Sequence, residues 1–98
     1  DEYDKYFVSF IIPEGKILAA YDKDGKLLRT AERYNSVGLP QAVKQAVAIK
    51  YPGWAISKDV YLVNYQANEG ATRKLYKLLL ETGGKRMRVK ITDQGEFL

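Results

Sequence analysis

The apolar and polar residues of this chain follow a pattern that predicts six β-strands and one helix. Runs with period-2 alternation, rich in β-branched and aromatic residues, are typical of strands with one buried face. Glycine-containing turns separate them, such as Asp22-Lys23-Asp24-Gly25, Asn68-Glu69-Gly70 and Gly83-Gly84. The expected strands cover residues 5–12, 16–22, 26–34, 54–66, 72–82 and 85–92.

One amphipathic helix is expected between the third and fourth strands, from about Leu39 to Tyr51. Pro40 suits the first helical turn, and Pro52 with Gly53 ends the helix. The apolar stripe has helical spacing and consists of Leu39, Val43, Ala46, Val47 and Lys50. An isolated helix of this length is only marginally stable in water, so it should pack on the sheet.

The last strand shows the clearest alternation and indicates how the sheet is covered. Met87, Val89 and Ile91 share one face, whereas the residues between them are basic. One buried and one solvated face is typical of an antiparallel sheet. The sequence therefore predicts an α+β fold, with a single amphipathic helix packed on an antiparallel sheet of about six strands.

Orientation in the fourth strand follows from regular alternation. If Ile56, Val60 and Leu62 face the helix, then Tyr61 and Tyr65 lie on the opposite face. Trp54 and Tyr51, at the corner between helix and strand, are expected to close one end of the core.

The two hairpins match at an offset of 70 residues, which suggests an internal duplication. We expect one domain over residues 1–98, with a partial first repeat (1–35) and a fuller second repeat (36–98). The first repeat has no helix ahead of it, so either a helix was lost upstream or the first hairpin extends the second unit's sheet. The matched pairs are Tyr6 and Tyr76, Val8 and Leu78, Phe10 and Leu80, Ala19 and Val89, Tyr21 and Ile91, Gly25 and Gly95, and Leu28 and Leu98.

Two residue types are absent from the 98 residues, histidine and cysteine. Without them the chain has no disulfide, no thiolate nucleophile, no Cys- or His-based metal site, and no histidine general base. Zinc enzymes and Ser-His-Asp or Cys-His catalysts are excluded. No pattern places two carboxylates convergently, and no cofactor pocket or metal site is indicated, so we expect a chain that is not an enzyme.

The net charge of +4 is unevenly distributed along the sequence. Residues 1–70 carry nine basic and nine acidic residues, whereas residues 71–98 carry seven basic residues and three acidic ones. The basic excess is either an ordinary solvated strand face or a patch that attracts an acidic partner.

Several motifs in order along residues 20–98 resemble the PepSY-like family, small domains also described as β-lactamase-inhibitor-like. The resemblance implies a helix packed on an antiparallel sheet in a secreted or periplasmic bacterial protein. It also implies binding or inhibition of a protein partner, without enzymatic activity and without a motif of functional residues. The motifs are Tyr21-Asp22-x-x-Gly25-x-Leu27-Leu28, Leu39-Pro40-x-x-Val43, Tyr51-Pro52-Gly53-x-x-Ile56-x-Lys58, Tyr76-x-Leu78-x-Leu80, Gly84-Lys85 and Asp93-x-Gly95-x-Phe97-Leu98.

The face of the sheet opposite the helix is the candidate partner-binding surface. Tyrosine and arginine are over-represented among binding hot spots, because they bury a large area and keep a polar group. A nucleic-acid-binding sheet is the alternative, since tyrosines among basic residues can stack bases and contact phosphates. The candidate residues are Tyr61, Tyr65, Lys77, Arg86, Arg88 and Lys90.

Overall fold

A computed structural model describes residues 5–98, which form one antiparallel sheet with the strands in chain order. The six predicted strands and the helix are confirmed within one or two residues of their expected ends, and the first hairpin continues the same sheet as the second. The elements are β1 (Lys5–Ile12), β2 (Gly15–Asp22), β3 (Leu27–Asn35), α1 (Gln41–Lys50), β4 (Ala55–Gln66), β5 (Ala71–Thr82) and β6 (Lys85–Thr92).

The predicted α+β class is wrong, because the described residues are mostly antiparallel sheet. The helix has only 10 residues, whereas each strand has 8 to 12. A helix of that length covers about 15 Å of sheet. Since the molecule extends over 52 Å in its longest dimension, the sheet determines the architecture.

The helix packs on the half of the sheet that contains β5 and β6. Pro40 lies just before its first residue, and the Pro40 carbonyl accepts hydrogen bonds from the amides of Val43 and Lys44. Val43 and Val47 of the predicted stripe are buried against a core completed by the sheet. That part of the core consists of Tyr76, Leu78, Leu80 and Ile91.

The corner after the helix closes one end of this core, as predicted. Tyr51 and Trp54 are half-buried against the core cluster. Tyr51 also meets Phe97 edge to face, with ring centroids 5.5 Å apart, and the Lys50 ammonium lies 4.6 Å from the Phe97 ring centroid. No helix in residues 5–98 is long and apolar enough to cross a membrane.

A β-bulge at Ser57 changes which residues of β4 face the helix. Ile56 pairs with Leu80, but Lys58 already pairs with Leu79, so Ser57 is an extra residue in β4. One extra residue reverses the alternation beyond it. Tyr61, not Val60, therefore lies on the helix side, opposite Tyr76. The predicted orientation of β4 is correct at Ile56 and wrong from Val60 onwards.

The turns after β2 and β6 make the same hydrogen bonds at positions 70 residues apart. Asp22 Oδ1 accepts the amides of Asp24 and Lys26, both at 2.9 Å. Thr92 Oγ1 accepts the amides of Gln94 and Glu96 at 3.3 and 3.1 Å. The backbone bonds agree too: Asp22 N to Lys26 O is 2.9 Å, and Thr92 N to Glu96 O is 2.8 Å.

Candidate binding face

We call the side of the sheet opposite α1 the open face. Strand register and alternation place on it the residues of β5 and β6 that lie between the core residues. In β5 these include Leu75, Lys77 and Leu79, and in β6 they include Arg88 and Lys90. The apolar members are half-buried and the basic members are exposed.

Basic side chains from all six strands point to the open face. Acidic residues on it are few: Glu81 pairs with Arg86 at 3.0 Å, and Asp22 accepts two amides of its own turn. The sheet therefore segregates charge by face, and not by sequence half. The basic residues of the open face are Lys5, Lys16, Arg29, Arg33, Lys58, Arg73, Lys77, Arg86, Arg88 and Lys90.

Apolar residues run between these basic groups in cross-strand rows. Val60 lies between Asn35 of β3 and Lys77 of β5. Leu79 lies between Lys58 and Arg88 in the next row. An apolar floor with basic groups at its margins can bury apolar area and attract negative charge at the same contact.

A shallow depression of about 400 Å³ lies at the centre of the open face. It brings together cations from four strands, which are adjacent in space but distant in the chain. Its lining also includes Val60 and Leu79, and residues Leu78 and Val89. We call its five cations the cationic cluster: Arg33, Lys58, Lys77, Arg88 and Lys90.

The cationic cluster has no carboxylate partner within the described part of the chain. The ion pairs found over residues 5–98 are Arg73 with Glu69 and Arg86 with Glu81. Like charges held on one surface repel one another, and an approaching anion relieves this repulsion. The arrangement can therefore attract an acidic ligand, and its exposed position means that salt will screen the attraction.

The structure separates the sequence-predicted candidate residues into two groups. Lys77, Arg86, Arg88 and Lys90 lie together on the open face, as expected. Tyr61 and Tyr65 lie on the helix side, because the Ser57 bulge reverses β4. Tyr61 is half-buried against the core.

Sequence reasoning missed Arg33 and Lys58, which belong to the charge-balanced part of the chain. Arg33 reaches the site because β3 pairs with β4, with Arg33 opposite Leu62. Lys58 reaches it because it is the first residue after the bulge. Strict alternation in β3 could have indicated Arg33, whereas Lys58 required knowledge of the bulge.

The helix side instead carries a row of stacked tyrosines. The rings of Tyr34 and Tyr61 have centroids 6.4 Å apart, and those of Tyr61 and Tyr76 are 4.7 Å apart. The Tyr34 hydroxyl donates a hydrogen bond to Glu32, which raises the pKa of Tyr34. Burial raises the pKa of Tyr76, with further contributions from Tyr61 and nearby carboxylates. These hydroxyls are therefore neutral at pH 7.

This tyrosine row removes the aromatic component expected for the open face. Among residues 5–98, Phe7 on the edge strand β1 is the one aromatic residue that register places there. Single-stranded nucleic acids are usually held by base stacking as well as by phosphate contacts. The described residues also bring no three acidic side chains together as a metal site.

Comparison with known proteins shows similarity of fold. No family model matches the chain, and no curated protein matches it. A solved structure, a BLIP-like protein from Bacteroides fragilis, superimposes with a TM-score of 0.51 at 22% sequence identity. The match covers 97% of this chain and 65% of that protein, so the chain spans about two thirds of its length. The chain therefore has a BLIP-like fold.

Proposed function

We propose that this chain is a non-catalytic binding module whose open face binds an acidic surface of a protein partner. The cationic cluster carries the proposal, since it places five unpaired positive groups around half-buried Val60 and Leu79. The positive groups would steer and orient the partner. Contact with the apolar rows would supply the hydrophobic part of the affinity.

Two further observations support a binding role outside the cytoplasm. The fold is similar to that of a BLIP-like protein, and the ordered motifs resemble the PepSY-like family of secreted or periplasmic domains. The binding site consists in this proposal of Arg33, Lys58, Lys77, Arg86, Arg88 and Lys90. The same contact would inhibit an enzyme if the acidic surface bordered that enzyme's active site.

A charge-reversal experiment tests the proposal. Immobilised wild type, a Lys77→Glu/Arg88→Glu variant and a Lys23→Glu/Lys44→Glu control are incubated with periplasmic and secreted proteins. The control makes the same change in net charge at exposed positions off the open face. We expect acidic proteins to be retained by wild type and control, and to bind the face variant about tenfold more weakly. Equal retention by all three would contradict the proposal.

Nucleic-acid binding is the alternative, and the same variants distinguish it. A glutamate-rich peptide and a single-stranded oligonucleotide of equal charge can be titrated at several salt concentrations. A phosphate-binding surface should prefer the oligonucleotide and lose affinity steeply as salt rises. Because the open face has few aromatic groups, we expect no preference for the oligonucleotide. Tight, salt-sensitive oligonucleotide binding lost in the face variant would reverse this assignment.

A further inference from the structure

Equivalent residues of the two hairpins differ sharply in burial. Tyr76, Leu78 and Leu80 of β5 are 6%, 2% and 0% exposed, because α1 covers them. Their counterparts 70 residues earlier, Tyr6, Val8 and Phe10 of β1, are 57%, 39% and 54% exposed. Both sets lie on the helix side of the same sheet.

The turns that follow the hairpins show the same contrast. At Gly95, a Cβ atom would lie 2.8 Å from the Ala42 carbonyl oxygen, so the first turn of α1 packs directly on this turn. At Gly25, a Cβ atom would meet nothing within 4 Å. The hydrogen bonds of the two turns are nevertheless the same, so the two units differ in what covers them and not in their own geometry.

The outer edge of β1 has the same relationship to β5. In the second unit, β4 pairs with one edge of β5 along 11 residues, and β6 pairs with the other. In the first unit, β2 pairs with β1, and β1 ends the sheet. No charged residue interrupts β1 after Lys5, although charges normally protect a free edge strand from pairing.

We infer that the helix side and outer edge of β1 form a docking site for a helix–strand segment of the same polypeptide, joined ahead of β1. The segment would place a helix over Tyr6, Val8 and Phe10 and pair a strand with β1. Its chemistry is that of residues 36–70, which do both for β5. The hydrophobic stripe of small residues at i and i+4, such as Val43 and Val47, is the required feature. The BLIP-like protein has about half as much chain again, which leaves room for such a segment.

The repeat offset provides a direct experiment. Because residue 71 corresponds to residue 1, a second copy of residues 36–70 can be fused directly ahead of Asp1 in the register of the natural connection. We expect the fused chain to lose 1-anilinonaphthalene-8-sulfonate binding, to slow amide exchange in β1, and to gain about 5 °C or more in Tm.

Two matched fusions control for chain length and charge. One carries Val43→Asp and Val47→Asp in the added copy alone, which removes its apolar stripe. The other carries Gln45→Asp and Ala48→Asp there, at positions exposed on α1. We expect only the second to keep the protection of β1. Equal behaviour of both fusions, or no protection in the parent fusion, would overturn the inference.

A second copy of the chain is the competing occupant of this site. Sedimentation of the unmodified chain, compared with a Tyr6→Asp/Phe10→Asp variant, tests for it. We expect no dimer that the variant dissociates, and observing such a dimer would overturn the inference. The open face is not involved in either result, so these tests are independent of the proposed binding function.

Discussion

The ring of Tyr61 stacks on that of Tyr76, with centroids 4.7 Å apart and ring planes inclined by 29°. This contact fixes the orientation of β4, because neighbouring residues on adjacent strands share a face. Tyr61 is thereby part of the core, and the open face consists of basic and aliphatic residues. The character of the candidate binding surface therefore depends on one aromatic pair on its opposite side.

Replacing Tyr61 with alanine should lower the free energy of unfolding by about 2 kcal/mol, since a half-buried aromatic ring is lost from between two others. Urea unfolding followed by circular dichroism measures the change. Tyr61→Phe keeps the ring and should cost much less. Wild-type stability in the alanine variant would show that the stack contributes little to the fold.

Deleting Ser57 should disrupt the core far more than any substitution of that residue. Without the bulge, every β4 residue beyond position 57 exchanges faces, which would turn Tyr61 out of the core and basic Lys58 towards the helix. We expect a loss of more than about 3 kcal/mol in unfolding free energy, or loss of cooperative unfolding.

The Ser57→Ala variant is the control for this deletion. It keeps the number of residues and removes only the hydrogen bond from Ser57 Oγ to the Leu79 carbonyl, an exposed contact of 3.2 Å. A change below about 1 kcal/mol is expected. A deletion variant as stable as Ser57→Ala would show that the bulge does not set the orientation of β4.

Gly95→Ala should be more destabilising than Gly25→Ala, although both glycines have positive φ, 88° and 82°. Each substitution costs about 1 kcal/mol for the left-handed conformation. Only the Cβ at position 95 would also clash with the Ala42 carbonyl, so that variant should lose about 1 kcal/mol more. Paired urea denaturation curves measure the difference. Equal losses would mean that α1 does not pack on the second turn.

Alkaline pH should destabilise the protein in part through Tyr76. Burial raises the Tyr76 pKa above its ordinary value of 10.0, so the folded state keeps this proton when the unfolded state loses it. The contribution is fully present below pH 10 and is lost as pH rises through the folded-state pKa. Urea midpoints between pH 8 and 11 should therefore fall less steeply in Tyr76→Phe than in wild type.

Tyr6→Phe is the matched control for the pH experiment, because Tyr6 is an exposed tyrosine at the equivalent position of the first hairpin. Its pH profile should follow that of wild type. If Tyr76→Phe and Tyr6→Phe shift the profile equally, burial of the Tyr76 hydroxyl is not the cause.

The sequence by itself determined the strands, the helix, its buried stripe and the two faces of β6. These features follow from local periodicity, turn residues and the two prolines that bound the helix. It also indicated Lys77, Arg86, Arg88 and Lys90 as neighbours, since regular alternation holds throughout β5 and β6. The matching turns at Asp22 and Thr92 could likewise be anticipated from the repeat.

Tertiary structure alone decided the face of Tyr61 and Tyr65, and the assembly of the cationic cluster. The bulge at Ser57 has no strong local signature, because it depends on the pairing of β4 with β5 and not on residue preferences within β4. Arg33 and Lys58 join Lys77 and Arg88 only through strand pairing across β3, β4, β5 and β6. A strand's own sequence sets its alternation, but its partner sets the register and hence the face.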